Sequence, residues 1–376
     1  MKRLLLVGGG QAHVFVLRSL AQRRPGNVEV TLVTPSDALI YTGMLPGWIA
    51  GHYQLRELTI PLMPLSHAAS VQLVSARITA LDLQRRVAHT DGGAAIAFDW
   101  VSIASGPAPS VDAVSGAREH ALALRPLSRF IARWQQIVSR AQSSRGPFRL
   151  TIIGAGAGGV EIALATKHRL PDVHVQLVTG DTPILPGHGA RVRSLAHAAL
   201  QRSHVQQVEA VALRIEPRAV VLNSGEPLPS DQTLLMTGAA AESWPRDAGL
   251  ATDEQGFIAI NDRLQSTSHD FVFAAGDAAT MLHARRPKSG VYAVRAGPKL
   301  ADNLIAAISG APLKPYRPQR RALYLLATGA KHAIASWGPF AFSGGWVWQW
   351  KDRIDRGYIR GFAKKQRDAK NQQLAN

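Results

Sequence analysis

Residues 3–18 read Arg-Leu-Leu-Leu-Val-Gly-Gly-Gly-Gln-Ala-His-Val-Phe-Val-Leu-Arg. The apolar start of this stretch predicts a strand, and its last eight residues predict a helix directly after a turn of three glycines. Gly8 permits the tight turn and Gly10 permits close approach of the backbone, so the free N–H groups at the helix start can bind a pyrophosphate. His13 stands where a third glycine is usual. The stretch therefore predicts a dinucleotide-binding unit with one altered position.

A second copy of the unit follows at residues 150–161, which read Leu-Thr-Ile-Ile-Gly-Ala-Gly-Ala-Gly-Gly-Val-Glu. Gly154, Gly156 and Gly159 complete the three-glycine pattern, and a helix is expected over residues 160–167. Two such units predict an α/β fold with two Rossmann-like dinucleotide-binding domains.

The residue after the second strand of each unit bears on ribose binding. Residues 28–33 predict this strand in the first unit, and Thr34 stands where many dinucleotide folds have an acid. In the second unit the strand 173–178 ends at Thr179-Gly180-Asp181 with no arginine directly after it. Asp181 favours NADH over NADPH, with both left open.

Three further apolar segments end in small residues that let a cofactor approach the backbone. They are Ala95 to Gly106, with one strand expected over residues 95–103, Thr233 to Gly238 and Phe271 to Asp277. A helix is expected at Ala278–Ala279, so Asp277 either caps it or binds a polyol chain. Residues 41–48 form either a buried loop or a loop that packs against a flavin ring.

Composition excludes several mechanisms. The chain has 376 residues, 46% of them hydrophobic, and no cysteine. Disulfides, thiolate metal sites and cysteine nucleophiles are therefore ruled out, and no metal site is expected. The net charge of +17 favours an anionic partner such as anionic lipid, nucleic acid or a phosphorylated ligand, or reflects solubility alone. With no secretory signal and no clean apolar run of about 18 residues, a cytoplasmic protein is expected.

The C-terminal region combines aromatic and basic residues. A helix is predicted over residues 346–362, with a large apolar residue at every fourth position on one face, namely Trp346, Trp350, Ile354, Tyr358 and Phe362. Beside lysines and arginines, this stripe is typical of a helix in a membrane interface. The protein is thus expected to lie peripherally on the inner face of the cell membrane. Alternatively, the stripe packs on the first domain or on a second copy of the chain, since a homodimer is a candidate assembly.

The order of these motifs resembles the two-dinucleotide-binding-domain flavoproteins of the pyridine nucleotide-disulfide oxidoreductase superfamily, over residues 1 to about 310. Within it the chain resembles the type II NADH:quinone oxidoreductases and the sulfide:quinone oxidoreductases. It also resembles the flavoprotein module joined to selenide, water dikinase, in the Leu-Pro-Gly-His run 185–188, the Pro-Lys-Ser-Gly-Val run 287–291 and the Trp-Lys-Asp-Arg-Ile-Asp run 350–355.

The resemblance implies a division into domains and a set of site residues. The FAD-binding domain would comprise residues 1–118 and 257–310, the NAD(P)-binding domain residues 119–256, and the C-terminal region residues 311–376. Glu161 would handle protons where flavin meets nicotinamide, and Lys288 would lie near flavin N1 and O2. The cofactor contacts would be Gly8, Gly10, Gln11, Ala12, His13, Thr34, Thr42, Gly43, Met44, Leu45, Pro46, Ser105, Gly106, Gly154, Gly156, Gly158, Gly159, Thr237, Gly238, Gly276, Asp277, Lys288, Ser289 and Gly290.

The lack of cysteine narrows the implied activity. Sulfide oxidation and disulfide reduction in this superfamily use cysteines, so both are rejected. What the resemblance still implies is transfer of electrons from NAD(P)H through FAD to an acceptor such as a quinone. Two alternatives stay open: a soluble flavoprotein reductase linked to selenium or sulfur metabolism, and a basic FAD-containing nucleic-acid-binding protein, although no specific nucleic-acid motif is present.

Overall fold

The computed structural model describes the backbone of residues 1–373 and the side-chain surroundings of residues 1–362. The elements of residues 1–109 are β1 (Lys2–Val7), α1 (Gln11–Leu20), β2 (Val28–Val33), β3 (Ala38–Ile40), α2 (Leu45–Ile49), β4 (Thr59–Pro61), α3 (Leu62–Ala68), β5 (Gln72–Val74), β6 (Ile78–Asp82), β7 (Val87–Thr90), β8 (Ala95–Ala97), β9 (Trp100–Ile103) and β10 (Ala108–Pro109). The elements of residues 117–247 are α4 (Ala117–His120), β11 (Ala121–Ala123), α5 (Leu127–Ser143), β12 (Arg149–Ile153), α6 (Ala157–Arg169), β13 (His174–Val178), α7 (Ala190–Arg202), β14 (Gln206–Val208), β15 (Ala212–Glu216), β16 (Ala219–Leu222), β17 (Pro227–Pro229), β18 (Gln232–Leu235), β19 (Ala239–Ala240) and α8 (Trp244–Asp247). The remaining elements are β20 (Ile258–Ile260), β21 (Val272–Ala274), β22 (Ala279–Met281), α9 (Gly290–Ser309), β23 (Leu323–Ala327), β24 (Ala333–Trp337), β25 (Phe340–Gly344) and α10 (Gly345–Gln373).

The first large sheet has the strand order β21-β9-β1-β2-β5, and all of its neighbouring strands are parallel. Its central strand β1 is buried from Leu4 to Val7, as expected for a parallel strand covered on both faces. Helices α1 and α9 pack against each other, and Gly297 leaves room for the ring of Phe15. An antiparallel sheet of β6, β7 and β8 is attached to this unit.

The second large sheet repeats the same plan with the order β11-β18-β12-β13-β14, again parallel throughout. Its core includes Phe130, Trp134 and Ile137 of α5, which lie at helical spacing. A small antiparallel sheet of β15, β16 and β17 adjoins it. Two parallel sheets, each with a glycine turn after its central strand, confirm the predicted fold class.

The first sheet is built from two separate stretches of chain. Strand β21 pairs with β9, although residues 104 to 271, including all of the second large sheet, lie between them in sequence. The exact boundaries 1–118, 119–256, 257–310 and 311–376 stay a prediction.

Three local expectations were wrong. The segment 95–103 forms two strands, β8 and β9, instead of one. Residues 41–48 are not a loop, because a 3-10 turn (Thr42–Met44) leads directly into α2. No helix starts at Ala278–Ala279 in the described chain: Asp277 lies in a 3-10 turn (Gly276–Ala278), and β22 then pairs in parallel with β20.

The C-terminal region is an antiparallel sheet in the order β23-β24-β25, followed by α10. The predicted aromatic stripe does not form one face. Trp346, Trp350 and Ile354 are exposed, whereas Tyr358 and Phe362 pack against Phe15 of α1. A step of four residues advances about 40° around a helix of 3.6 residues per turn, so four steps rotate the stripe by about 160°. Within residues 1–373, none of the helices combines the length and apolarity needed to cross a bilayer.

Candidate functional site

The first glycine turn lies directly against the end of β9. A Cβ atom on Gly10 would lie 2.2 Å from the carbonyl oxygen of Ala104, so only glycine fits there. The turn and the Ser105–Gly106 segment, both predicted to contact the cofactor, are therefore neighbours.

His13 takes the place of the missing third glycine and is fully buried. Its Nδ1 lies 2.6 Å from the carbonyl oxygen of Gly8 and its Nε2 lies 2.9 Å from Oγ of Ser102. Because a carbonyl only accepts, Nδ1 carries the proton and the Ser102 hydroxyl donates to Nε2. Burial lowers the pKa of His13 to about 4, so the ring is neutral. His13 thus joins the turn to β9 through two hydrogen bonds, and its side chain faces the protein interior.

Helices α1, α6 and α9 begin with open N-termini. Among the described residues, no side chain caps their first turn and no acid lies in it. The buried amide oxygen of Gln11 likewise accepts no hydrogen bond within the described region, and this amide lies beside Gly290 at the start of α9. Open helix starts and an unused buried polar group fit a bound anionic dinucleotide.

Asp277 lies among several polar and charged groups at this point. Burial raises the pKa of Asp277, while the positive charges of Arg125 and Lys288 oppose the rise. The backbone N–H of Ser289 likewise favours its carboxylate form and lowers its pKa. Arg125 was missed in the sequence, yet its guanidinium lies 3.5 Å from the position of a Cβ on Gly106. A lone arginine directly before a proline matches no cofactor-binding motif.

The ammonium group of Lys288 is hydrogen-bonded to oxygen atoms of the protein. Its Nζ donates to the carbonyl oxygen of Ala279 at 2.7 Å and to Oγ1 of Thr280 at 2.8 Å, and it lies 3.7 Å from the ring centre of Phe257. Burial lowers its pKa to about 8. Its charge acts on Asp277 without a hydrogen bond between them.

The second glycine turn has the geometry of the full motif. A Cβ on Gly159 would lie 1.9 Å from the carbonyl oxygen of Gly154, so a third glycine is required here. The backbone of the first turn differs, with φ of +91° at Gly8 against +141° at Gly154, and this turn accommodates the side chain of His13. Gly156 and Gly158 have open space where a Cβ would point, which leaves room for a pyrophosphate.

Glu161 lies on α6 behind this turn. Its Oε1 accepts the backbone N–H of Ala327 on β23 at 2.8 Å. Burial raises the pKa of Glu161 to about 7, against an opposing effect of Lys351 and the N–H of Ala327. A carboxyl group with this pKa can hold or release a proton near neutral pH.

Residues 42–46 are fixed by packing from the second half of the fold. Met44 and Leu45 are buried in the core of the second sheet, so their side chains are covered by protein, whereas Thr42 and Gly43 stay partly exposed. The carbonyl oxygen of Gly43 accepts a hydrogen bond from Nζ of Lys351 at 2.5 Å. Lys351 is one of the basic residues expected beside the aromatic stripe, where cations would meet anionic lipid, and its burial is a correction.

The other predicted contacts lie at the edges of the two units. Thr34 is buried at the end of β2, and its hydroxyl lies next to Gly9. The hydroxyl of Thr237 donates to the carbonyl oxygen of Ser110, and Gly238 follows it on an exposed segment. Pro46 and Ala12 are buried, so the backbone is the part of Ala12 that can face a cofactor.

Comparison with known proteins agrees with this geometry. The demethylphylloquinone reductase NdbB of Synechocystis sp. is 26% identical over 89% of this chain and 86% of its own length. The internal alternative NAD(P)H-ubiquinone oxidoreductase A1 of Arabidopsis thaliana is 24% identical over 73% of this chain and 60% of its own length.

Two solved structures share the fold. The sulfide:quinone oxidoreductase of Aquifex aeolicus superimposes with a TM-score of 0.79 at 18% identity, over 98% of this chain and 92% of its own. The Plasmodium falciparum NDH2 in complex with NADH reaches a TM-score of 0.81 at 10% identity, over 95% and 97%. The sequence profile of one family matches residues 2–297, which is most of the chain. The chain belongs to the pyridine nucleotide-disulphide oxidoreductase family.

Proposed function

We propose that the protein is an FAD-dependent NAD(P)H oxidoreductase that delivers electrons to a quinone. The observation that carries the proposal is the pair of parallel sheets, each with a glycine turn and an uncapped helix start. The chain has no cysteine, so an acceptor that needs no protein thiol fits best. The relatives named as a demethylphylloquinone reductase and an NAD(P)H-ubiquinone oxidoreductase support a quinone in this role.

FAD fits the first sheet. Gly8, Gly10 and the start of α1 would bind its pyrophosphate, while Asp277, Arg125 and the start of α9 would bind its ribityl and flavin parts. When bound, FAD supplies a carrier that accepts two electrons from a hydride donor and passes them on. Lys288, whose charge acts on Asp277, would contribute positive charge at this end of the site.

The nicotinamide dinucleotide fits the second turn. Gly154, Gly156, Gly158 and Gly159 would hold its pyrophosphate at the start of α6. Asp181 follows β13 on an exposed segment, and a carboxylate there disfavours a 2′-phosphate, so NADH is the expected donor.

Glu161 would handle a proton. Reduction of a quinone to a quinol consumes two electrons and two protons, and a hydride supplies both electrons and one proton. The second proton has to reach the acceptor from solvent. With a pKa of about 7, Glu161 can take it up and release it at neutral pH.

A cluster of exposed aromatic residues would place the protein on a membrane. Trp337, Phe340 and Phe342 of the C-terminal sheet continue into Trp346 of α10, with ring centres 6.3–6.5 Å apart from one to the next. Trp350 and Ile354 extend it along the helix. We call these six residues the aromatic surface.

Cations border the aromatic surface. Arg321 lies against Gly338, and Lys331 lies over the ring of Trp348. Rings at headgroup level with flanking cations suit an anionic bilayer, and a quinone dissolves in that bilayer. We therefore place the protein peripherally on the cytoplasmic face of the cell membrane.

Rapid anaerobic mixing with NADH or NADPH tests the activity. The yellow flavin absorbance of the purified protein should bleach, and a quinone should restore it. Treatment with a thiol-blocking reagent should leave both steps unchanged, since no cysteine is present. A flavin that stays oxidised with both nucleotides contradicts the proposal. Reoxidation by low-molecular-weight selenium compounds and not by quinones favours the selenium-linked alternative.

A further inference from the structure

The second strand of the second unit ends without an acid. Thr179 stands directly after β13, where many dinucleotide folds place a carboxylate that accepts a hydrogen bond from the adenosine ribose. Thr179 is only 6% exposed, and its hydroxyl donates to the carbonyl oxygen of Val208 at 3.4 Å. Its side chain is therefore turned to the protein, and a ribose ligand has to come from another residue.

An acid lies at the same register position one strand away. Strands β13 and β14 pair in parallel, and their register places Glu209 beside Thr179. The N–H of Thr179 donates to the carbonyl oxygen of Val208 at 3.0 Å. The N–H of Gly180 then donates to the carbonyl oxygen of Ala210 at 3.1 Å, so the pairing continues past the last strand residues. Neighbouring strands lie about 4.8 Å apart, which is the distance between the backbone of Glu209 and the usual place of the acid.

The side chains of Thr179 and Glu209 belong to the same face of the sheet. Paired residues of two parallel strands point to one face, as Gln176 and Gln206 show by a hydrogen bond between their side chains at 3.4 Å. Side chains alternate along a strand, so Thr179 and Glu209 share the opposite face with Leu177. Glu209 thus replaces the missing acid in register and in direction.

The carboxylate of Glu209 is exposed and unused by the protein. Among the residues that the structure describes, it forms no salt bridge and no side-chain hydrogen bond. It lies at the carboxyl end of a parallel sheet, the edge at which such sheets bind nucleotides. The same edge carries Gly156 and Gly158, which have open space where a Cβ would point, and the uncapped start of α6.

We propose that Glu209 is the ribose-binding residue of the nicotinamide nucleotide site, where it accepts a hydrogen bond from the 2′-hydroxyl of the adenosine ribose. The same carboxylate repels a 2′-phosphate, which selects NADH against NADPH. Asp181 lies beyond the turn at Gly180 and adds to this repulsion without binding the ribose. The proposal rests on the proposed function, since it names the nucleotide that this site takes.

Calorimetric titration of the oxidised, FAD-loaded protein with oxidised nucleotides measures binding without turnover. The wild type should bind NAD⁺ about tenfold more tightly than 2′-deoxy-NAD⁺, because the hydrogen bond to the carboxylate is lost with the hydroxyl. Glu209→Ala removes the acceptor and should bind both nucleotides with nearly equal affinity. Glu209→Gln keeps an acceptor without charge, so the affinity for NADP⁺ relative to NAD⁺ should rise about tenfold.

Two further variants are controls for charge alone. Glu226→Ala removes an exposed acid between β16 and β17 in the same half of the chain, and it should leave all three affinities unchanged. Asp181→Ala should improve the binding of NADP⁺ and keep the preference for NAD⁺ over 2′-deoxy-NAD⁺.

Loss of the preference for NAD⁺ over 2′-deoxy-NAD⁺ in Glu209→Ala, with the preference kept in Asp181→Ala, supports the proposal. A wild type without this preference, or a preference that persists in Glu209→Ala, overturns it. If the binding is as expected but NADH does not bleach the flavin, the proposed function is refuted and the assignment of Glu209 stands. The two failures are therefore distinguishable.

Discussion

His13 shows how one residue can change a motif without removing it. In the second turn a side chain at the third position would collide with Gly154, whereas the first turn, with a different φ at its first glycine, holds an imidazole. The ring then supplies two hydrogen bonds that a glycine lacks. The missing third glycine predicts a weakened cofactor site here, but the contacts indicate that the buried side chain of His13 stabilises the turn.

Replacing His13 by alanine should destabilise the protein. The change leaves a cavity and removes a buried partner of Ser102, so we expect a loss of about 2–4 kcal/mol in the free energy of unfolding at pH 7.5. The wild type binds fewer protons folded than unfolded between about pH 4 and 6.5, so its own stability falls as the pH drops through this range. The difference between variant and wild type should therefore be smaller at pH 5.

Urea unfolding at both pH values measures this effect. His89→Ala, at an exposed position of β7, serves as the control and should change stability little. An equal loss at pH 5 and pH 7.5 would show that His13 is not held neutral by burial.

At the scale of elements, α10 determines how the C-terminal region is attached. Lys351 and Asp355 connect it to the Tyr41–Gly43 segment, and Arg356 connects it to Glu57 at 2.7 Å. Phe362 then packs on Phe15 of α1. The helix is therefore joined to the first half of the fold by polar and apolar contacts between Lys351 and Phe362.

Lys351 and Arg356, two cations of α10 that form ion pairs, should contribute very different amounts to stability. Lys351→Met leaves a buried carboxylate without its cation, which is expected to cost about 3–5 kcal/mol. Arg356→Met removes contacts of a more exposed cation, for which about 0–1 kcal/mol per pair is usual. Urea unfolding at pH 7.5 compares the two, and equal losses would contradict the burial of Lys351.

Strands and helices that depend on a local pattern of residues could be predicted from the sequence, whereas contacts between segments far apart in the chain could not. Strand β2 runs from Val28 to Val33 as predicted, and Phe130, Ile131 and Trp134 of α5 are buried as their spacing indicates. The role of Lys351 depends on Gly43, some 300 residues earlier in the chain. Its partner Asp355 one helical turn later was the only local signal, and surface helices carry many such pairs.

At the scale of the molecule, the net charge of +17 and the aromatic surface should act together on a bilayer. We expect co-sedimentation with vesicles that contain anionic lipid at low salt. Binding should weaken at about 1 M salt, where the Debye length falls to about 3 Å, and the remaining affinity should come from the aromatic rings.

A triple variant with Trp346, Trp350 and Ile354 changed to glutamine tests the source of that remaining affinity. It should no longer bind vesicles at high salt, whereas Leu213→Gln, at an exposed apolar position on β15, should bind like the wild type. If the triple variant binds equally well and loses a dimer instead, the aromatic surface meets a second copy of the chain and no membrane.

The return of the chain from the second sheet to the first has a consequence for synthesis on the ribosome. Strand β9 can pair with β21 only after about 170 further residues have been synthesised. At a translation rate of about 5–20 residues per second, this takes roughly 10–30 s. During that time the edge of β9 is unpaired and α1 lacks its partner α9. The nascent protein thus exposes a strand edge and apolar surface that a chaperone can bind, and the pocket for FAD is completed only when most of the chain has been translated.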